Sequence, residues 1–220
     1  MSTPAGDRPN APGMFIVFEG GEGAGKSTQA AALSDLLTSR GCTVTRTREP
    51  GGTPAAEAIR AVLLDPANTG LDDRAEALLF AAARGDHAAR VIRPALERGD
   101  VVICDRFMDS SIAYQGAGRR LGQERIAELS RWATGGLQPD LTIVLDIDPA
   151  VGLKRVANPD RLEAEPFDWH AMVRAAFTEI AATDPRGYLV LDAERPPEDL
   201  ATEIATVVCE LLDEPGVANS

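Results

Sequence analysis

The sequence predicts an α/β fold in three layers, a five-stranded parallel sheet with helices on both faces. Three observations predict it. Short apolar runs rich in β-branched residues recur along the chain, longer amphipathic stretches separate them, and neither a repeat nor a linker interrupts the alternation. A single domain over residues 14–212 is expected, with loose tails at 1–13 and 213–220.

In chain order, the strand candidates are Met14–Phe18, Thr43–Thr47, Val101–Cys104, Leu141–Leu145 and Tyr188–Leu191. The first helix is expected over Ser27–Arg40, with Leu33, Leu36 and Leu37 on one side and Gly41 as its stop. A second covers Pro54–Leu64. A third starts at Asp73, which stands at capping-box spacing from Glu76, and runs toward Arg90 until Pro94 ends or bends it. Further helices are expected at Met108–Arg119, Gln123–Ala133, Ala150–Ala157, Trp169–Ala182 and Pro197–Leu212.

Composition excludes several classes. A net charge of −12 argues against broad binding to nucleic-acid backbones, which calls for a basic face. It leaves room for a small anion, because charges beyond about 8–10 Å are screened and a few local arginines decide. Cys42, Cys104 and Cys209 form no CxxC pair, so neither a zinc site nor a disulfide framework is expected, and the thiols fit a reducing cytoplasm. No stretch reaches the ~18 apolar residues of a membrane helix, and the opening segment lacks the apolar region of a signal peptide.

Gly20-Gly21-Glu22-Gly23-Ala24-Gly25-Lys26-Ser27 matches GxxxxGK[ST], between an apolar strand and an amphipathic helix. Glycines let the backbone approach a polyphosphate closely, so that successive N–H groups and the helix N-terminus meet its oxygens. ATP binding is therefore expected over Gly20–Thr28. Lys26 would lie on the β- and γ-phosphates and the Ser27 hydroxyl on Mg²⁺. Glu22 is odd in such a loop, because a carboxylate repels phosphate. The guanine-reading NKxD motif is absent, which weakens a GTPase reading. Two strands end in aspartate, Asp105 and Asp146, and either can supply a carboxylate near the metal. Asp105 is followed by Arg106, which pairs an acid and a base at a strand's carboxyl end, where such sheets bind ligands.

The order and spacing of further segments resemble bacterial thymidylate kinase from Met14 to about Leu212. They are Phe18-Glu19-Gly20, Arg48-Glu49-Pro50-Gly51-Gly52-Thr53, Leu79 to Arg84, Asp105-Arg106-Phe107, Ser110-Ser111, Ala113-Tyr114-Gln115-Gly116, Pro139 to Thr142, Leu145-Asp146 and Asp160-Arg161. The resemblance implies a three-layer P-loop NTPase fold, transfer of the ATP γ-phosphate to dTMP, Mg²⁺ on Ser27 and Asp105, and a homodimer. It places Phe80 against the thymine ring and Arg84 toward its O4. Phe80 and Arg84 stand four apart on one helical face, which suits a stacking ring and a donor. By the same resemblance Arg48 and Arg106 clamp the acceptor phosphate, and Ser111 meets the base edge. Tyr114 packs where a 2′-hydroxyl would go, with Gln115 beside it, and Glu22 takes the 3′-hydroxyl.

Related enzymes close an arginine-bearing lid over ATP. Here the stretch at about 150–163 is short and interrupted by Pro159, and Arg155 and Arg161 are its candidates for the transferred group. Two alternatives remain at this point: a kinase for another nucleoside monophosphate or a deoxynucleoside, and a nucleotide-binding regulator that has lost transfer.

Overall fold

A computed structural model describes residues 13–213, so the expected tails, apart from Gly13 and Asp213, lie outside the described residues. The chain runs β1 (Met14–Gly20), α1 (Lys26–Ser39), β2 (Val44–Arg48), α2 (Pro54–Leu64), α3 (Asp73–His87), α4 (Arg93–Glu97) and β3 (Val101–Asp105). It continues with α5 (Met108–Ser111), α6 (Gln123–Thr134), β4 (Leu141–Asp146), α7 (Pro149–Gly152), α8 (Phe167–Thr183), β5 (Tyr188–Asp192) and α9 (Pro197–Asp213). The five strands pair in parallel in the order β2-β3-β1-β4-β5.

Alternation along each strand divides the core between the two faces. Ile16 and Phe18 of β1 join Ile103, Ile143 and Leu145 beneath α1 and α9. Phe15 and Val17 turn the other way and pack with Val102, Cys104 and Phe107. A further cluster joins Phe80 of α3 to Tyr114 and to Trp169, Val173 and Phe177 of α8. Central β1 lies between β3 and β4, so the chain's winding reverses there, and the crevice opens at the carboxyl ends Gly20 and Asp105.

Three local expectations are corrected. The cap of α3 is Asp72, which accepts from the backbone N–H groups of Arg74 and Ala75, while Glu76 turns inward and is fully buried. The third helix does not stop near Arg90. It widens into i→i+5 turns over Ala88–Ile92 and resumes as α4, where Pro94 sits in the first turn and removes no needed donor. The expected helix at Met108–Arg119 is α-helical only through Ser111, then proceeds by wide turns to Gly118, with Arg119 N donating to Tyr114 O at 2.9 Å.

Candidate active site

The P-loop leaves β1 at Gly20 and ends at Gly25, which adopts φ +89° at the head of α1. No side chain caps that helix, so its first N–H groups face the loop and can receive an anion. Gly23, at φ +67°, approaches Gly152 so closely that a Cβ would strike its carbonyl oxygen, which fixes the loop against α7. Lys26 is buried and folds onto the loop, donating to Gly21 O at 2.7 Å and Gly20 O at 3.0 Å. Burial and the nearby Arg106 guanidinium hold its ammonium down at about 8.

Ser27 and Thr28 are exposed at the start of α1. The Ser27 hydroxyl donates to Asp105 Oδ2 at 2.5 Å. Asp146, the other strand-end carboxylate, is taken by Arg174 through bonds of 2.7 and 2.9 Å. Geometry thus separates two aspartates that looked equivalent.

Arg106 occupies the mouth of the crevice with φ +71°, a conformation few non-glycine residues adopt outside functional sites. Its Nη2 donates to Glu22 Oε1 at 2.8 Å, and its Nη1 to Gly20 O and Ser110 Oγ, each at 3.1 Å. The guanidinium also lies over the Tyr114 ring, 5.0 Å from the centroid. Tyr114 O–H donates to Glu22 at 2.5 Å. Burial alone would push the Glu22 carboxyl up, but Arg106, Lys26 and the Tyr114 hydroxyl together bring it down to about 2. A carboxylate inside a phosphate loop is accommodated because it is paired across the crevice.

Glu22, Phe80, Arg106, Ser111, Tyr114 and Gln115 line one cavity, as their predicted common role requires. Arg84 stands behind it, with Nη2 donating to Ser111 Oγ at 2.9 Å and Nε to Glu49 Oε2 at 2.7 Å. Gln115 Nε2 donates to Glu76 Oε1 at 2.9 Å. Arg48 lines a different cleft, with Ser27 and Asp105, and is bonded at 3.1 and 3.0 Å to Glu57. The two arginines expected to clamp one phosphate therefore face separate cavities here.

The 150–163 stretch is α7 followed by one tight turn over Leu153–Arg155, which stops short of the expected Ala157. Arg155 is exposed and donates to Gly23 O at 3.1 Å, on the P-loop itself. Arg161 is buried away from the loop. Its Nε donates to Leu63 O at 2.8 Å, and its Nη2 lies 2.7 Å from Glu76 Oε2, an ion pair poorly aligned as a hydrogen bond.

Sequence reasoning missed four contributors. Arg60 of α2 and Glu163 line the same cavity as Glu22 and Phe80, and burial followed by the Arg48 charge depresses the Arg60 guanidinium. Glu49 joins Arg84 to buried His87, whose Nδ1 is 3.0 Å away. Glu19 is wholly buried beneath α5. A charge inside the apolar run Met14–Phe18-Glu19 was the available signal for the last.

A family model of thymidylate kinase matches residues 18–204. A thymidylate kinase from Leifsonia xyli is 52% identical over 93% of this chain and 96% of its own length. One from Deinococcus radiodurans is 49% identical over 90% and 97%. The crystal structure of thymidylate kinase from Ehrlichia chaffeensis superposes with a TM-score of 0.75 at 33% identity, covering 90% of this chain and all of that one. With fold, loop and crevice agreeing along nearly its whole length, the chain belongs to the thymidylate kinase family.

Proposed function

We propose that this chain transfers the γ-phosphate of ATP to dTMP, giving dTDP and ADP, with donor and acceptor meeting between the P-loop and Arg106. The observation that carries the reading is the crossing of Arg106 over the crevice onto Glu22, which sets a rigid guanidinium opposite the uncapped start of α1. The acceptor is a phosphate with a second pKa near 6, already a dianion at neutral pH, so no general base is required. One of its oxygens attacks the γ-phosphorus in line, the bond to the β–γ bridging oxygen breaks, and ADP leaves with that electron pair.

The protein's part is positioning and charge neutralisation. Loop amides and Lys26 hold the donor phosphates. Arg106 orients the acceptor, and Glu22 receives a sugar hydroxyl. Phe80 stacks on the base while Ser111 and Gln115 meet its edge. Arg84 acts toward O4 through Ser111, which it touches. Arg155, already on the P-loop, stabilises the transferred group, and the 150–163 stretch serves as the lid. Ser27 and Asp105 offer hard oxygens in mutual contact and would hold Mg²⁺, which supplies charge neutralisation on the donor phosphates when bound.

A homodimer is part of the proposal. Its support is that the large exposed apolar side chains Leu78 and Trp132 lie on α3 and α6, which pack together. A cytoplasmic location is inferred from the three unpaired cysteines. No helix among the described residues is long and apolar enough to cross a membrane.

The test is a monophosphate panel in a coupled ADP-release assay. ATP-dependent dTDP formation that exceeds turnover of dUMP, dGMP and thymidine, and that Lys26→Ala abolishes, supports the reading. Preference for another acceptor overturns it.

A further inference from the structure

The proposed mechanism leaves one buried acid at the site unused. Glu19 precedes the first P-loop glycine and is 0% exposed, and no arginine or lysine among the described residues comes within ion-pair distance of its carboxylate. A carboxylate so placed is strongly disfavoured unless hydrogen bonds fill its lone pairs. One segment fills them. Oε1 accepts from Phe107 N at 2.8 Å and Ser110 N at 3.0 Å, and Oε2 accepts from Ser110 Oγ at 2.6 Å. These groups belong to the start of α5, where Phe107 brings no side-chain cap. Glu19 supplies from β1 the acceptor that α5 lacks.

Two consequences reach Arg106. Its left-handed backbone is sustained only by what surrounds it. Arg106 N donates to Phe18 O at 2.8 Å and the next amide donates to Glu19, so consecutive residues of β1 pin consecutive peptides. The side chain is held as well. A serine hydroxyl has one proton, and Ser110 gives it to Glu19, so its lone pairs face Arg106 Nη1 at 3.1 Å.

We infer that Glu19 is a positioning residue for the acceptor phosphate, holding Arg106 through the α5 backbone and the Ser110 hydroxyl so that the guanidinium faces the crevice. The inference rests on the assignment of Arg106 to that phosphate. The electrostatics support it. Burial first, and then the Asp109 charge, push the Glu19 carboxyl up to about 7, while Arg106, Ser110 and Phe107 pull it back. Asp109 itself accepts from Tyr188 O–H at 2.7 Å, and the Lys26 ammonium acts on Glu19 from α1. Protonated Glu19 would carry a hydrogen that competes with the Ser110 proton, so the hold on Arg106 loosens as pH falls through neutrality.

Calorimetric binding of dTMP and of thymidine to the full chain at pH 8 tests this, because thymidine lacks the group Arg106 holds. Glu19→Gln keeps the size but turns N–H groups toward Ser110. It is expected to weaken dTMP roughly 10- to 100-fold while thymidine moves by less than about twofold. Glu19→Asp, which keeps the charge, is expected to lose less. If Glu19→Gln does not fold, Ser110→Ala removes only the hydroxyl link and should lower dTMP affinity selectively in the same direction. Equal losses for both ligands, or none for dTMP, overturn the inference. Arg106→Ala separates the layers. If it fails to weaken dTMP selectively, the assignment of Arg106 fails; if it does so while the Glu19 and Ser110 variants do not, the positioning role alone fails.

Discussion

Arg161 is buried and Arg106 is partly exposed at the crevice, and the P-loop flank and the 150–163 flank hold them by different means. On the P-loop flank, Arg106 is fixed by backbone carbonyls, one serine and the Glu22 carboxylate, within a frame whose amides are pinned to β1. On the other flank, Arg161 is committed to Glu76, and the two side chains are only 5% and 0% exposed. Arg48 offers a third case, an ion pair with Glu57 in which both partners are nearly half exposed. An exposed pair is worth about 0–1 kcal/mol, so a phosphate can draw Arg48 away at little cost. Removing Arg161 would strip a buried carboxylate of one of its two cations, a change of about 2–3 kcal/mol in all because Arg119 remains. An arginine's availability for chemistry is thus set by what it must release.

The sharpest way to break this contrast is to delete the two arginines of the 150–163 stretch separately. Arg155→Ala is expected to lower kcat on the order of 10³-fold with thermal stability unchanged, because that side chain is exposed and its hydrogen bond is to the P-loop. Arg161→Ala is expected to lower stability by about 2–3 kcal/mol in denaturant unfolding with little direct effect on transfer, since Arg119 still faces Glu76 at 3.2 Å. Reversed outcomes would move the transfer role to Arg161.

A smaller effect sharpens the base side of the cavity. Phe80→Ala is expected to raise the dTMP KM roughly tenfold while the ATP KM moves little, as loss of a stacking surface does. Equal changes in both would return Phe80 to the core it also serves.

The Glu22 pair yields the pH test. Its folded pKa of about 2 lies below the ordinary 4.5, so its stabilisation is fully present above pH 4.5 and is lost as pH falls toward 2. The depression corresponds to about 3 kcal/mol. The excess stability of the native protein over Glu22→Gln should therefore shrink across that interval in urea unfolding. A difference independent of pH would mean that the pairing with Arg106 and Tyr114 adds nothing.

What the sequence made legible follows from range. The P-loop could be read because its physics is contiguous, with glycines, lysine and serine acting through their own backbone. The sheet could be read because buried parallel strands are short apolar runs. Ser111 and Tyr114 could be set on one helical face from their spacing, while Phe80 and Gln115 were joined to them only through the family resemblance, and even the wide turns after Ser111 leave all four on one cavity. Long-range charge pairing could not be read. Glu76 stood at a plausible capping distance from Asp73, but Asp72 took the cap, and Arg119 and Arg161, far along the chain, drew Glu76 inward. Glu49 and Glu19 lay inside quoted motifs, yet their partners Arg84, His87, Phe107 and Ser110 arrive from other elements. Nothing in local pattern distinguishes Arg48, with its carboxylate nine residues on, from a free clamp.

In the proposed mechanism a loop of amides and an arginine across the crevice hold two anions in line. The most direct test is a crystal structure with dTMP, Mg²⁺ and a non-hydrolysable ATP analogue. Lys26 Nζ is expected to leave Gly20 O and Gly21 O for the β- and γ-phosphates, with the Arg106 guanidinium on the dTMP phosphate. A dTMP phosphate seated out of reach of Arg106 would contradict it.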